Sequence, residues 1–128
     1  MKRRDAPAAP TILAVVDMGS NSFRLEIGRV EGGQIYRLDT VRETLRMGAG
    51  LDDRDNLTPH AQREAIACLA RFGERLRGFD RSAVRAVATN TFRVAKNVAK
   101  FLPRAEAALG FPIDVIGGHE EARLIYIG

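Results

Sequence analysis

Thr11-Ile12-Leu13-Ala14-Val15-Val16-Asp17, followed directly by Met18-Gly19-Ser20-Asn21-Ser22, is the stretch that decides the fold of this chain. A short apolar run rich in β-branched residues reads as a fully buried strand. Asp17 ends it, and Met18–Ser22 is a turn cluster. From Phe23 to Val30 the pattern alternates, with Phe23, Leu25 and Ile27 on one side and Arg24 and Glu26 on the other. That is a half-buried strand, and Glu31-Gly32-Gly33 turns the chain into a third strand near Ile35–Arg42. The first third is therefore a three-stranded antiparallel meander.

Outward from the meander, the pattern loosens between Glu43 and Asn56, where Gly48, Gly50 and Asp52-Asp53-Arg54-Asp55 mark a loop. A helix then starts with Thr58 as its N-cap and Pro59 at its first position. Ala65, Leu69, Phe72 and Leu76 form its core-facing stripe, and Gly78 is expected as its left-handed cap. Ser82–Thr89 reads as a fourth strand. The stretch from Asn90 to Leu109 is helical in composition, with a break or kink expected at Pro103 and an end at Gly110. Pro112–Ile116 is a fifth strand, Gly117-Gly118 a turn, and His119–Ile127 the start of a last helix. The order β-β-β-α-β-α-β-α predicts an α/β domain with a mixed five-stranded sheet and flanking helices.

Composition bounds the function classes. The 128 residues, 45% apolar and 28% charged, suit one globular domain with a single core. No apolar run approaches the roughly 20 residues of a membrane span. Met1–Pro10 is basic and Pro/Ala-rich and reads as a flexible leader, since too short an apolar stretch follows it for a signal peptide. Cys68 is the only cysteine, which excludes a disulfide framework and makes the cytoplasm the expected compartment. The net charge of +4 favours anionic partners. Nucleic acid is not the expected one, because the basic residues are scattered without interleaved aromatics.

Three segments could carry chemistry. In the first, Gly19 would let the backbone approach a ligand closely, and the amides and side chains of Ser20, Asn21 and Ser22 could cradle phosphate oxygens. Asp17 would then sit where a carboxylate can hold Mg²⁺. The same residues would serve equally as a plain hairpin turn. In the second, Thr89-Asn90-Thr91-Phe92-Arg93 ends the fourth strand, where ligands of open α/β sheets collect. Arg93 could clamp a phosphate there, or be an ordinary surface arginine. In the third, Gly117-Gly118-His119-Glu120-Glu121-Ala122-Arg123 opens the last helix. One glutamate could activate water, though acidic residues also complement a helix N-terminus. If strands one, four and five run parallel, all three segments open onto one edge.

Taken together, Asp17-Met18-Gly19-Ser20-Asn21-Ser22-Phe23, Ala88-Thr89-Asn90-Thr91-Phe92-Arg93 with Asn97, and Gly118-His119-Glu120-Glu121-Ala122-Arg123-Leu124 resemble the exopolyphosphatase/guanosine pentaphosphate phosphohydrolase family. That family belongs to the actin, sugar-kinase and heat-shock-70 ATPase superfamily, whose lobes have a ribonuclease-H-like core. The resemblance runs from about Leu13 to Gly128. It implies a first phosphate-binding loop at Gly19, Ser20, Asn21 and Ser22, with Asp17 near the metal. It implies that Arg93 contacts phosphate and that Glu121 activates water. The implied substrates are inorganic polyphosphate or guanosine pentaphosphate, usually with Mg²⁺. The family's second, Gly-rich phosphate loop and its second lobe would lie beyond Gly128. The expectation is thus an N-terminal lobe over residues 11–128, cut at the helix leading to a second lobe and inactive alone. Its apolar end, Leu124–Gly128, is expected to promote self-association, and dimers are an assembly the resemblance allows for the full-length protein. Two other readings are a lobe of a related kinase or ATPase, and a non-catalytic anion-binding module.

Overall fold

The computed structural model describes residues 11–116. The leader, the Gly117-Gly118 turn, the last helix and Glu121 lie outside the described residues. The meander consists of β1 (Thr11–Met18), β2 (Ser22–Glu31) and β3 (Gln34–Thr44), paired antiparallel. Gly32 and Gly33 both take positive φ, 59° and 79°, which is what a two-residue hairpin between right-twisted strands requires. A bulge between Ile27 and Gly28 shifts the β2–β3 register.

After the loop comes α1 (Pro59–Arg75), then β4 (Val84–Ala88), α2 (Thr91–Val94), α3 (Val98–Leu109) and β5 (Asp114–Val115). The sheet order is β3-β2-β1-β4-β5, with β4 and β5 both parallel to β1. This is the mixed five-stranded sheet, with its antiparallel three-strand meander and flanking helices, that the order of elements predicts.

One face of the sheet carries the core. Val16, Met18, Phe23 and Leu25 meet the α1 stripe of Ala65, Leu69, Phe72 and Leu76, and Phe101, Ala105 and Leu109 of α3 close the cluster. The two helices pack closely at Gly73, where an added Cβ would stand 2.7 Å from the Leu109 carbonyl oxygen and 2.8 Å from that of Ala108. Cys68 is buried within this core, and burial pushes its thiol up to about 12. It is a small apolar core residue rather than a nucleophile.

The Thr58 cap holds as read: its side-chain oxygen accepts from the Ala61 amide at 3.1 Å, with Pro59 at the first position. Two expected boundaries move. Helix α1 ends at Arg75, because the amide of buried Leu76 is shared between the Phe72 and Gly73 carbonyls and tightens the last turn. Gly78, at φ 89°, belongs to the separate turn from Leu76 to Phe79 that follows. The helical stretch after β4 is broken, as expected, but at Ala95–Asn97; Pro103, the reason for expecting it, lies inside an uninterrupted α3. Asn97 makes the break. Its side chain accepts from the Leu57 amide at 2.9 Å and donates to the Leu57 carbonyl at 3.1 Å. A side chain that satisfies a distant segment's backbone fixes where its own helix can start.

Candidate active site

The parallel register places the ends of three strands in line: Met18 of β1 pairs with Ala88 of β4, and Ala88 with Val115 of β5. The Thr89 amide donates to the Met18 carbonyl at 3.2 Å, and the Ile116 amide to that of Ala88 at 2.9 Å. Two of the three segments singled out by sequence therefore open on one carboxyl edge. Glu121, from the third, lies outside the described residues.

Asp17 is one residue short of that edge, on the sheet face away from the helices. Its side chain is only 16% exposed, and its Oδ1 is buried with no hydrogen-bond partner among the described residues. Arg24 approaches Oδ2 no closer than 3.9 Å. Burial raises the carboxyl above its ordinary value of 3.8, and the Arg24 charge offsets only part of that. A buried, unpaired carboxylate oxygen is costly in a stable fold and fits a cation or water that is part of the working site. Among the described residues no three His, Cys, Asp or Glu side chains are grouped to hold a metal unaided. A hard cation with few protein ligands would complete its shell with water and phosphate oxygens, as Mg²⁺ does.

Beside Asp17, Gly19–Asn21 forms a tight loop, closed by the Gly19 amide donating to the Ser22 carbonyl at 3.0 Å. A Cβ on Gly19 would approach that carbonyl to 3.2 Å, so glycine is the residue that lets the loop close. The Ser20 and Asn21 amides have no hydrogen-bond partner among the described residues. Unused donors in a turn are available to an anion. The turn that the hairpin reading expects is thus present, with two amides left unused.

The second segment joins the first through side chains. Thr91 Oγ1 donates to Ser20 Oγ at 2.9 Å, and Thr89 and Thr91 are the buried polar residues among those described. Between them Asn90 takes φ 35°, ψ −90°, a conformation that surrounding structure must enforce. Phe92, two residues on, is fully buried, and its ring lies 5.9 Å from both Phe23, which follows the Gly19–Ser22 loop, and Phe101 of α3. Arg93 follows on the same edge and is exposed. No hydrogen bond or ion pair joins its guanidinium to the Gly19–Ser22 loop, so the structure places Arg93 near the edge but does not engage it.

Sequence reading missed the strap after β3. The Leu45 amide donates to the Asn21 carbonyl at 3.0 Å and the Gly48 amide to that of Ser20 at 3.1 Å. A Cβ on Gly48 would stand 3.6 Å from Thr91 Oγ1 and 3.9 Å from the Ser20 Cβ. The available signal was the continued alternation of Leu45 and Met47, both buried, past the expected strand end.

The sequence profile of the Ppx/GppA phosphatase family matches residues 26–128. The match begins after the Gly19–Ser22 loop and does not depend on it. The Ppx/GppA family member of Aquifex aeolicus, whose crystal structure is known, is 28% identical with a TM-score of 0.82, over 90% of this chain and 38% of its own. An exopolyphosphatase from Cytophaga hutchinsonii is 25% identical with a TM-score of 0.80, over 89% of this chain and 36% of its own. A nucleoside triphosphate hydrolase from Neospora caninum, at 15% identity and a TM-score of 0.56, shares the fold alone. This chain therefore spans well under half the length of the family members it matches. Profile and fold agree, and the chain belongs to the Ppx/GppA phosphatase family.

Proposed function

We propose that this chain supplies the phosphate-binding lobe of a phosphohydrolase that removes terminal phosphate from inorganic polyphosphate or guanosine pentaphosphate. The observation that carries the reading is the pairing of a loop with unused amides, at Ser20 and Asn21, with the Asp17 carboxylate beside it, whose Oδ1 is buried with no hydrogen-bond partner among the described residues. In this reading Gly19, Ser20, Asn21 and Ser22 hold the phosphate, Arg93 swings onto it once it is bound, and Asp17 holds Mg²⁺. The ion, when present, would neutralise phosphate charge. Glu121 orients and deprotonates the attacking water.

Phosphoryl transfer depends on positioning and electrostatics more than on covalent chemistry. Holding the reactants in place can supply roughly 7–11 kcal/mol of the barrier. A single wall of the cleft does not hold both water and phosphate, so the 128 residues alone are expected to release no phosphate, and a second lobe completes the site. The compartment assigned is the cytoplasm, in keeping with a free, buried cysteine and with no helix among the described residues long and apolar enough to cross a membrane.

Phosphate release from polyphosphate and from guanosine pentaphosphate, with Mg²⁺ and with the second lobe present, tests this. Glu121→Gln should lower kcat by about a hundredfold or more, and Asp17→Asn should abolish the Mg²⁺ dependence together with the activity. Unchanged turnover in Glu121→Gln would contradict the assignment.

A further inference from the structure

The strap that braces the phosphate loop has a second side. Residues 44–47 with Ala49 and Gly50 form one wall of an open cavity of about 390 Å³, and the start of α1 with its cap Thr58 forms the other. That volume is within the range of small-ligand sites. Arg46, Thr58, His60 and Glu64 supply its polar lining. Neither the catalytic reading nor the family comparison uses this cavity.

Arg46 is held there by its neighbours. Leu45 and Met47 bury their side chains in the core, at 6% and 1% exposure, so the alternation turns Arg46 outward. The hydrogen bonds from the Leu45 and Gly48 amides to Asn21 and Ser20 fix the flanking backbone against the phosphate loop itself. Most other arginines of the sheet and of α1 are committed: Arg24, Arg29, Arg37, Arg71, Arg75 and Arg85 each meet a carboxylate. Arg46 makes no such pair among the described residues. A guanidinium that is anchored at its backbone, unpaired at its head and set in a cavity is placed to bind an oxyanion.

We propose that this cavity is a second anion subsite, which holds an inner stretch of a phosphate chain whose terminal phosphate lies in the Gly19–Ser22 loop. The inference rests on the phosphohydrolase reading for the position of that terminal phosphate. Glu64 gives the subsite its selectivity. A carboxylate in the lining repels a highly charged free or terminal phosphate more than an inner chain unit, which carries less charge. The ligand class is therefore linear polyphosphate long enough to cross the strap, rather than orthophosphate.

The test is equilibrium binding of long-chain polyphosphate, tripolyphosphate and orthophosphate to the chain and to Arg46→Gln, Arg46→Lys and Gly19→Ala. Arg46 is exposed, so Arg46→Gln should keep the wild-type amide spectrum. Arg46→Gln should weaken long-chain binding about tenfold, the effect of losing one charge-assisted contact, and leave tripolyphosphate unchanged. Arg46→Lys should recover part of the loss, and Gly19→Ala should weaken both chain ligands. Long-chain binding unchanged in Arg46→Gln, or both ligands weakened equally by it, would overturn the subsite while leaving the phosphate-loop reading intact. Dependence on Arg46 without dependence on Gly19 would keep the subsite and overturn that reading. No binding of either ligand by the wild-type chain would overturn both.

Discussion

Asp17 is where stability and function pull apart. Its carboxylate is delivered by a strand whose every other requirement is apolar, and one of its oxygens finds no partner among the described residues. A carboxyl raised above its unfolded value binds more protons in the folded chain than in the unfolded one. Its contribution to stability therefore falls as pH rises upward from the ordinary value of 3.8. Asp17→Asn removes that charge. It should raise stability at pH 7 by about 1 kcal/mol, with the gain vanishing below pH 3.8, while removing metal-dependent anion binding. Thermal melts across pH would show it, and a variant less stable than wild type at pH 7 would mean that Asp17 is satisfied in a way the fold does not reveal. Such residues are legible in sequence because their chemistry clashes with their setting: an aspartate closing Ala-Val-Val stands out. Asn90 was less legible, since nothing in Thr-Asn-Thr announces a φ of 35°. Beside it Phe92 packs against Phe23 and Phe101, which come together only in the fold.

At the scale of elements, local rules served where local chemistry decides. Thr58-Pro59 starts α1 because capping is a contact between near neighbours, and Gly110 ends α3 with a φ of 93° for the same reason. Local rules failed where a partner distant in sequence decides. Pro103 carries the strongest local signal for a break, yet the break lies at Asn97, whose amide is bound to Leu57 forty residues away. The α1–α3 contact is another such case. Gly73 looks like a weak point in a helix, where glycine is less favourable than alanine by roughly 1 kcal/mol. Its lack of a side chain is what lets α3 approach to carbonyl contact. Gly73→Ala should therefore destabilise the chain by about 2–3 kcal/mol, the usual effect of overpacking, despite the better helix propensity. Chemical denaturation would measure it, and a stabilised variant would mean that the two helices part easily.

For the whole molecule, the strand order follows from two sequence features: the tight glycine hairpin, which forces antiparallel neighbours, and the helical crossover through α1, which returns the chain parallel to β1. Together they carry Asp17, the Gly19–Ser22 loop and the Thr89–Arg93 segment to a single edge. That convergence could be anticipated from the order of elements. The strap could not, because the bonds from Leu45 and Gly48 back to the Gly19–Ser22 loop are visible only once the meander has closed. The central claim is that this edge is a phosphate site. Amide chemical-shift mapping of the chain, titrated with tripolyphosphate in the presence of Mg²⁺, tests it most directly. The largest shifts are expected at Gly19, Ser20 and Asn21, with smaller ones at Thr89–Thr91, and all should be lost in Asp17→Asn. Shifts that fall elsewhere while these amides stay unmoved would contradict the account.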